Sequence, residues 1–178
     1  MLHANELRNA NQRESESANQ GGALADLKPI CGARTYASPI EAQAIEQARP
    51  SREMKGQGLR ARLFKLAIPL FKAKPAHIDE LLGDGQVLPV LGGLRVINTP
   101  GHTPGHISLY TPAVKILFCG DSMVAEKNGI LRCSRGMNTR DEDTAKEAVK
   151  IQQALGTEIV SSGHGPIVRE AARKFPNV

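Results

Sequence analysis

Apolar runs three or four residues long, broken by Gly and Pro, recur through the second half of this chain. They stand at Leu94-Arg95-Val96-Ile97, Ile107 to Tyr110, Ile116-Leu117-Phe118-Cys119 and Glu158-Ile159-Val160. Short apolar runs bounded by turn residues predict buried strands. Strands are expected at 94–98, 107–110, 115–119 and 158–161, with another near Val87. The Thr111-Pro112-Ala113 link predicts an antiparallel hairpin between the second and third of these. Residues 30–37 predict an earlier strand, with Thr35 and Tyr36 as strand formers.

Helices have a different signature. Ser38-Pro39-Ile40-Glu41 places Ser at the N-cap, Pro at the first helical position and Glu three residues after the cap. That arrangement starts a helix running to about Ala48, before Pro50. Thr139-Arg140-Asp141-Glu142 caps a second helix in the same way. Its apolar positions Ala145, Ala148, Val149, Ile151 and Leu155 trace one face, and Gly156 ends it. Short helices are also expected at 23–27 and 169–174. Residues 49–58 read as a charged loop, and 59–73 as a basic helical stretch divided at Pro69. Residues 1–20, rich in Asn, Gln, Glu and Ser, predict a disordered or weakly helical leader. The whole is a mixed α/β (α+β) chain with one domain at 21–178.

Chemistry-bearing residues follow three of the strands. His102 lies in Thr99-Pro100-Gly101-His102-Thr103-Pro104-Gly105-His106, Asp121 in Cys119-Gly120-Asp121-Ser122, and His164 in Ser162-Gly163-His164-Gly165-Pro166. A rigid sheet aims groups carried on the loops at its strand ends. Neutral imidazole and carboxylate are ligands of zinc and similar first-row ions, and a carboxylate bridges a metal pair with its two oxygens. Any one of these turns alone would be an ordinary surface turn; three in this order point to a metal site.

These segments resemble the later motifs of the metallo-β-lactamase superfamily, and the similarity runs from about residue 21 to about 168. The resemblance implies a partial αββα sandwich, its C-terminal half largely intact and its N-terminal strands missing. It implies that His102 is a ligand of one metal, Asp121 the bridging and catalytic carboxylate, and His164 a ligand of a second metal. His106 matches a position that supports the ligands from beside them. Zinc, or another divalent first-row metal, is the implied cofactor. A small-molecule ester, thioester, lactam or phosphoester is the implied substrate, and the later half is most similar to the hydroxyacylglutathione-hydrolase-like group. Only fourteen residues follow His164, so no helical domain for glutathione is expected.

The superfamily's His-x-His-x-Asp-His motif precedes a Gly-Gly pair. Here Gly21-Gly22 is preceded by Glu14, Glu16, Ala18 and Asn19 at the matching positions, and His3 is the sole upstream imidazole. A four-ligand zinc site is worth about 10–16 kcal/mol, roughly 3 kcal/mol per ligand, so losing four ligands removes most of the affinity. The expectation is a truncated or degenerate hydrolase homologue, impaired or inactive. The alternative is a non-catalytic pseudoenzyme or interaction module completed by a partner chain. Loss of half a sandwich exposes apolar sheet, which a homo- or hetero-oligomer would cover.

Composition narrows the partners. Hydrophobic residues make up 40% of 178, enough for one core, whereas aromatics are 3% with no Trp. No apolar run approaches about 18 residues, so no membrane span is expected, nor is there a secretory h-region. The net charge of +5 includes Arg60, Arg62, Lys65, Lys72 and Lys74, read as a solvated helix face rather than a membrane surface. Base stacking needs exposed aromatics, which excludes nucleic acid as an expected partner. Three cysteines without a Cys-x-x-Cys pair suit reduced cytoplasm.

Overall fold

A computed structural model describes residues 24–51, 74–136 and 139–178. Its elements are α1 (Leu24–Cys31), β1 (Tyr36–Ala37), α2 (Pro39–Glu46), β2 (Glu80–Leu81), β3 (Val87–Leu88), β4 (Leu94–Asn98), β5 (Ile107–Thr111), β6 (Ile116–Gly120), β7 (Met123–Ala125), β8 (Leu131–Cys133), α3 (Glu142–Gln153), β9 (Ile159–Ser162), β10 (Val168–Arg169) and a closing 3₁₀ turn, Ala171–Arg173. The expectations for residues 1–20 and 59–73, and most of the 49–58 loop, lie outside the described residues.

Six strands form the main sheet in the order β10-β9-β6-β5-β4-β3. All neighbours are antiparallel except β6 and β9, which run parallel, with Ile116 opposite Ile159 and Phe118 opposite Ser161. The chain between these two contains the β7–β8 hairpin and α3. Parallel neighbours require such a crossover, because a tight turn reverses direction.

Strand alternation sorts the side chains. The cross-strand row Tyr110, Leu117, Val160 and Val168 lies on one face and is buried with Val149 of α3 in the main core cluster. The opposite face presents the row Val96, Leu109, Phe118 and Ser161. Val96 is buried on that face, Leu109 is half-buried and Phe118 is 37% exposed. A smaller cluster joins Ala37, Ala42 and Ile78 near α2.

Several local expectations are corrected. Residues 30–37 form a strand only at Tyr36–Ala37; Ile30 ends in α1, despite Pro29. Tertiary contacts override local preference here: Lys28 Nζ donates to Thr35 Oγ1, the His77 carbonyl and Asp79 Oδ2, at 3.1, 2.9 and 2.7 Å. This holds the turn of α1 against the 77–79 segment. The N-cap of α3 is Asp141, whose Oδ1 accepts from Thr144 N–H at 2.9 Å, rather than Thr139. Thr139 Oγ1 is instead bonded to Ser134 Oγ at 2.7 Å.

On α3 the buried face is Ala145, Ala148, Val149 and Gln152, spaced for one helical stripe. Ile151, expected on that face, is 50% exposed, and the polar Gln152 takes the interior position. The expected 169–174 helix shortens to the 3₁₀ turn, because Val168–Arg169 pairs with β9 and Glu170 turns the chain through a left-handed conformation at φ 52°. The β7–β8 hairpin carried no sequence expectation.

Leu117 sits at the centre of the buried row with no exposed surface. Leu117→Ala is expected to lower unfolding free energy by about 2–5 kcal/mol, against a change within about 0.5 kcal/mol for the exposed Ile151→Ala. Urea denaturation of both variants checks this contrast.

Candidate functional site

Strands β4 and β6 run in the same direction, since each is antiparallel to β5, and β9 is parallel to β6. Their C-terminal ends therefore gather at one end of the sheet. The loops leaving those ends carry His102, Asp121 and His164, and the structure brings all three together. His102 Nε2 lies 3.6 Å from Asp121 Oδ2, and His164 Nε2 lies 3.5 Å from Asp121 Oδ1. One carboxylate thus presents a different oxygen to each imidazole. Asp121 and His102 are largely buried, whereas His164 is 44% exposed.

Each side chain is held from behind. His102 Nδ1 meets Ser134 Oγ at 2.9 Å, which turns Nε2 toward Asp121. The 101–102 backbone is tied to the start of α3, where Arg140 N–H and Asp141 N–H donate to the His102 and Gly101 carbonyls. Asp121 N–H donates to His106 Nε2 at 3.1 Å, so His106 grips the carboxylate's own residue rather than joining the cluster. The His102 and His106 ring centroids are 6.1 Å apart, edge to face. Burial pushes the His106 imidazole below its usual range, against the opposing pull of Asp121 and Glu41, which favours the neutral ring.

Two glycines leave the space this grouping needs. Gly120, at φ +51°, sits where a Cβ would come within 2.8 Å of His106 Nε2. A Cβ on Gly163 would collide with Asp121 Oδ1. Gly163 N–H also donates to the Gly120 carbonyl at 2.8 Å, joining the loops of Asp121 and His164 directly.

The cap of α2 reaches into the same region. Ser38 Oγ accepts weakly from Glu41 N–H at 3.4 Å and donates to the Gly105 carbonyl at 2.6 Å. Glu41 Oε1 accepts from Gly105 N–H at 3.0 Å. Both polar groups of one peptide residue between His102 and His106 are therefore clamped by the helix start. Sequence reasoning missed this use of the Ser38–Glu41 pair, and also Ser134, Thr139 and Gln152. A hydroxyl or amide bonded across the fold leaves no periodic signal.

A cavity of about 250 Å³ opens over the cluster, lined by His102, Asp121, Arg132, Cys133, Arg135 and His164 among others. A larger hollow of about 530 Å³ lies elsewhere, between α1 and residues 75–79. Its Lys28 and Asp79 are paired to each other, and it holds no grouping of imidazoles about a carboxylate.

The donor chemistry at Asp121 suits divalent first-row ions. A tetrahedral ion with bonds of about 2.0–2.1 Å holds its donors about 3.3–3.4 Å apart, close to the two imidazole–carboxylate separations. Among the described residues the number of donors falls short of a complete site. Each position has one imidazole and one carboxylate oxygen, and among the described residues no group of three or more His, Cys, Asp or Glu could hold one ion. Of the chain's five histidines, His77 faces Glu46 Oε1 at 3.1 Å. His3, together with Glu14, Glu16, Ala18 and Asn19, lies outside the described residues.

Known proteins resemble this chain along most of its length. The sequence profile described as "Metallo-beta-lactamase superfamily" matches residues 21–164. The probable metallo-hydrolase YflN of Bacillus subtilis (strain 168) is 32% identical over 134 residues, covering 67% of this chain and 49% of that protein. Hydroxyacylglutathione hydrolase of Mesorhizobium japonicum is 50% identical over 56 residues, 30% of this chain and 22% of its own length. The chain therefore spans about half or less of these relatives. Among solved structures, a di-iron-bound form of TTHA1623 superposes with a TM-score of 0.59 at 28% identity, covering 87% of this chain and 70% of that one.

The three thiols differ in surroundings. Cys31 is exposed, burial raises the Cys133 thiol at the cavity wall, and the interior pushes Cys119 up to about 12. Since the thiolate is the reactive form, a disulfide reagent at pH 8 is expected to modify Cys31 first and Cys133 more slowly. Cys119 reacts only after denaturation; mass mapping of the labelled cysteines checks the order.

Proposed function

Because the chain belongs to the metallo-beta-lactamase superfamily, we propose that it is a metal-dependent hydrolase homologue whose hydrolytic site is impaired. The observation that carries this reading is the convergence of His102 and His164 on opposite oxygens of Asp121, at 3.6 and 3.5 Å. His102, Asp121 and His164 are the residues that would hold zinc or another divalent first-row metal. A bound ion of this kind supplies Lewis acidity and lowers the pKa of coordinated water.

The chain's own groups prepare that chemistry. Ser134 Oγ faces His102 Nδ1 and leaves Nε2 directed at the carboxylate. His106 fixes the backbone of Asp121. Arg132 and Arg135 line the cavity wall, and Arg132 is paired with Glu126. The positive charge of Arg135 favours an anionic ester, thioester, lactam or phosphoester, and the partial likeness to hydroxyacylglutathione hydrolase favours the thioester. With free thiols, the proposed compartment is a reducing cytoplasm; no helix among the described residues is long and apolar enough to cross a membrane. Neither nucleic acid nor membrane is proposed as a partner.

Impairment is inferred from the donor count among the described residues. Two donors per ion, at roughly 3 kcal/mol each, correspond to dissociation constants in the micromolar to sub-millimolar range, far weaker than a complete site. A second reading, an interaction module completed by a partner chain, is favoured by the apolar row that leaves Phe118 exposed opposite α3.

Zinc titration with metal analysis of the purified chain tests the proposal. The expected result is weak binding lost in Asp121→Ala and weakened in Gly163→Ala, with no zinc-dependent hydrolysis of a thioester, lactam and phosphoester panel above the metal-alone rate. Tight binding of two equivalents with turnover would overturn the impairment. Unchanged binding in Asp121→Ala would remove the site assignment.

A further inference from the structure

We propose that Gln152 is the positioning residue for Asp121, acting through a one-way chain of buried hydrogen bonds that ends at its side-chain carbonyl. The direction follows from donors that have no choice. A backbone N–H only donates, so the bond from Asp121 N–H to His106 Nε2 requires a lone pair on Nε2. The proton of the neutral ring then sits on Nδ1 and is donated to Thr99 Oγ1, 2.8 Å away. Thr99 passes its own hydroxyl proton to Ser108 Oγ at 2.9 Å.

Ser108 and Ser122 then face the same two acceptors. Ser122 Oγ is 2.9 Å from the Cys119 carbonyl and 3.0 Å from Gln152 Oε1, and Ser108 Oγ is 3.4 and 3.3 Å from them. Two hydroxyl protons meet two acceptors, so neither serine has a proton to send back. The amide orientation of Gln152 is set independently, since its Nε2 donates to the Ala148 carbonyl at 3.1 Å. Thr99, Ser108, Ser122 and Gln152 are all buried, with Gln152 wholly so, and a dry network with matched donors and acceptors specifies one arrangement.

The consequence reaches the cluster from both sides. Ser122 follows Asp121 in the chain and is held by Gln152, while His106 holds the Asp121 amide. Helix α3 thus sets the carboxylate that faces His102 and His164. This assignment rests on the proposed role of Asp121, and the deciding spectrum is recorded on metal-free protein so that the two fail separately.

Long-range ¹H–¹⁵N spectra of ¹⁵N-histidine-labelled chain read the ring directly. The expected result is a single neutral His106 with its proton on Nδ1; a proton on Nε2 overturns the chain of bonds. Gln152→Met, which keeps the volume but removes the acceptor, is expected to leave the proton on His106 Nδ1, since the Asp121 N–H still requires the Nε2 lone pair, and to shift the His106 ring and Asp121 amide resonances. The zinc dissociation constant is expected to rise about tenfold in that variant, the range found for residues that support metal ligands. Gln152→Glu, neutral in so buried a place, is expected to restore the original His106 and Asp121 resonances. Ser108→Ala breaks the chain midway without touching Gln152 and serves if the methionine variant does not fold. An unchanged His106 spectrum in the folded variants overturns the role of Gln152.

Discussion

Everything at the candidate site depends on β6 and β9 running side by side in the same direction. Antiparallel neighbours would carry Asp121 and His164 to opposite ends of the sheet. The parallel register, Phe118 against Ser161, brings Gly120 beside Ser162, so both loops emerge together and the Gly163 amide reaches the Gly120 carbonyl. Loop closure alone would leave such a meeting entropically expensive; the sheet and α3 supply the contacts that offset it. His102 joins because β4 shares this direction two strands away.

The geometry separates placement from coordination. The fold delivers two imidazoles to one carboxylate at separations that suit an ion, and among the described residues each position has one imidazole and one carboxylate oxygen. Metal affinity rises with every donor, whereas placement is determined by strands, glycines and hydroxyls that an ion does not need to touch. A scaffold can therefore retain the shape of a dinuclear centre after its binding strength has fallen. Membership of the superfamily and the proposed impairment of the site are compatible for that reason.

Much of this was legible in the sequence where the physics is local. The runs at Leu94, Ile107, Ile116 and Ile159 carry strand periodicity, and Ser38-Pro39 announces a helix start, so those elements stand where expected. The grouping of His102, Asp121 and His164 was legible through a resemblance, because spacing alone leaves open which strand ends meet. Local reading failed where distant partners decide. Lys28, bonded to Thr35 and Asp79, keeps Ile30 helical against its strand preference. Gln152 displaces Ile151 from the interior because two serines and a carbonyl make a polar residue favourable there. The β7–β8 pairing, Met123 opposite Cys133, is three residues long on each side and too short to show alternation.

The clamp of Ser38 and Glu41 on Gly105 has a dynamic consequence. One residue's amide and carbonyl both terminate on the first turn of a helix far away in sequence, so fraying of that turn removes one anchor of the loop on which His102 and His106 are mounted, the start of α3 being another. Amide-exchange protection at Gly105 and at the start of α2 should rise and fall as a single cooperative unit. The readiness of the imidazoles then depends in part on the docking of a helix that offers the cluster no ligand.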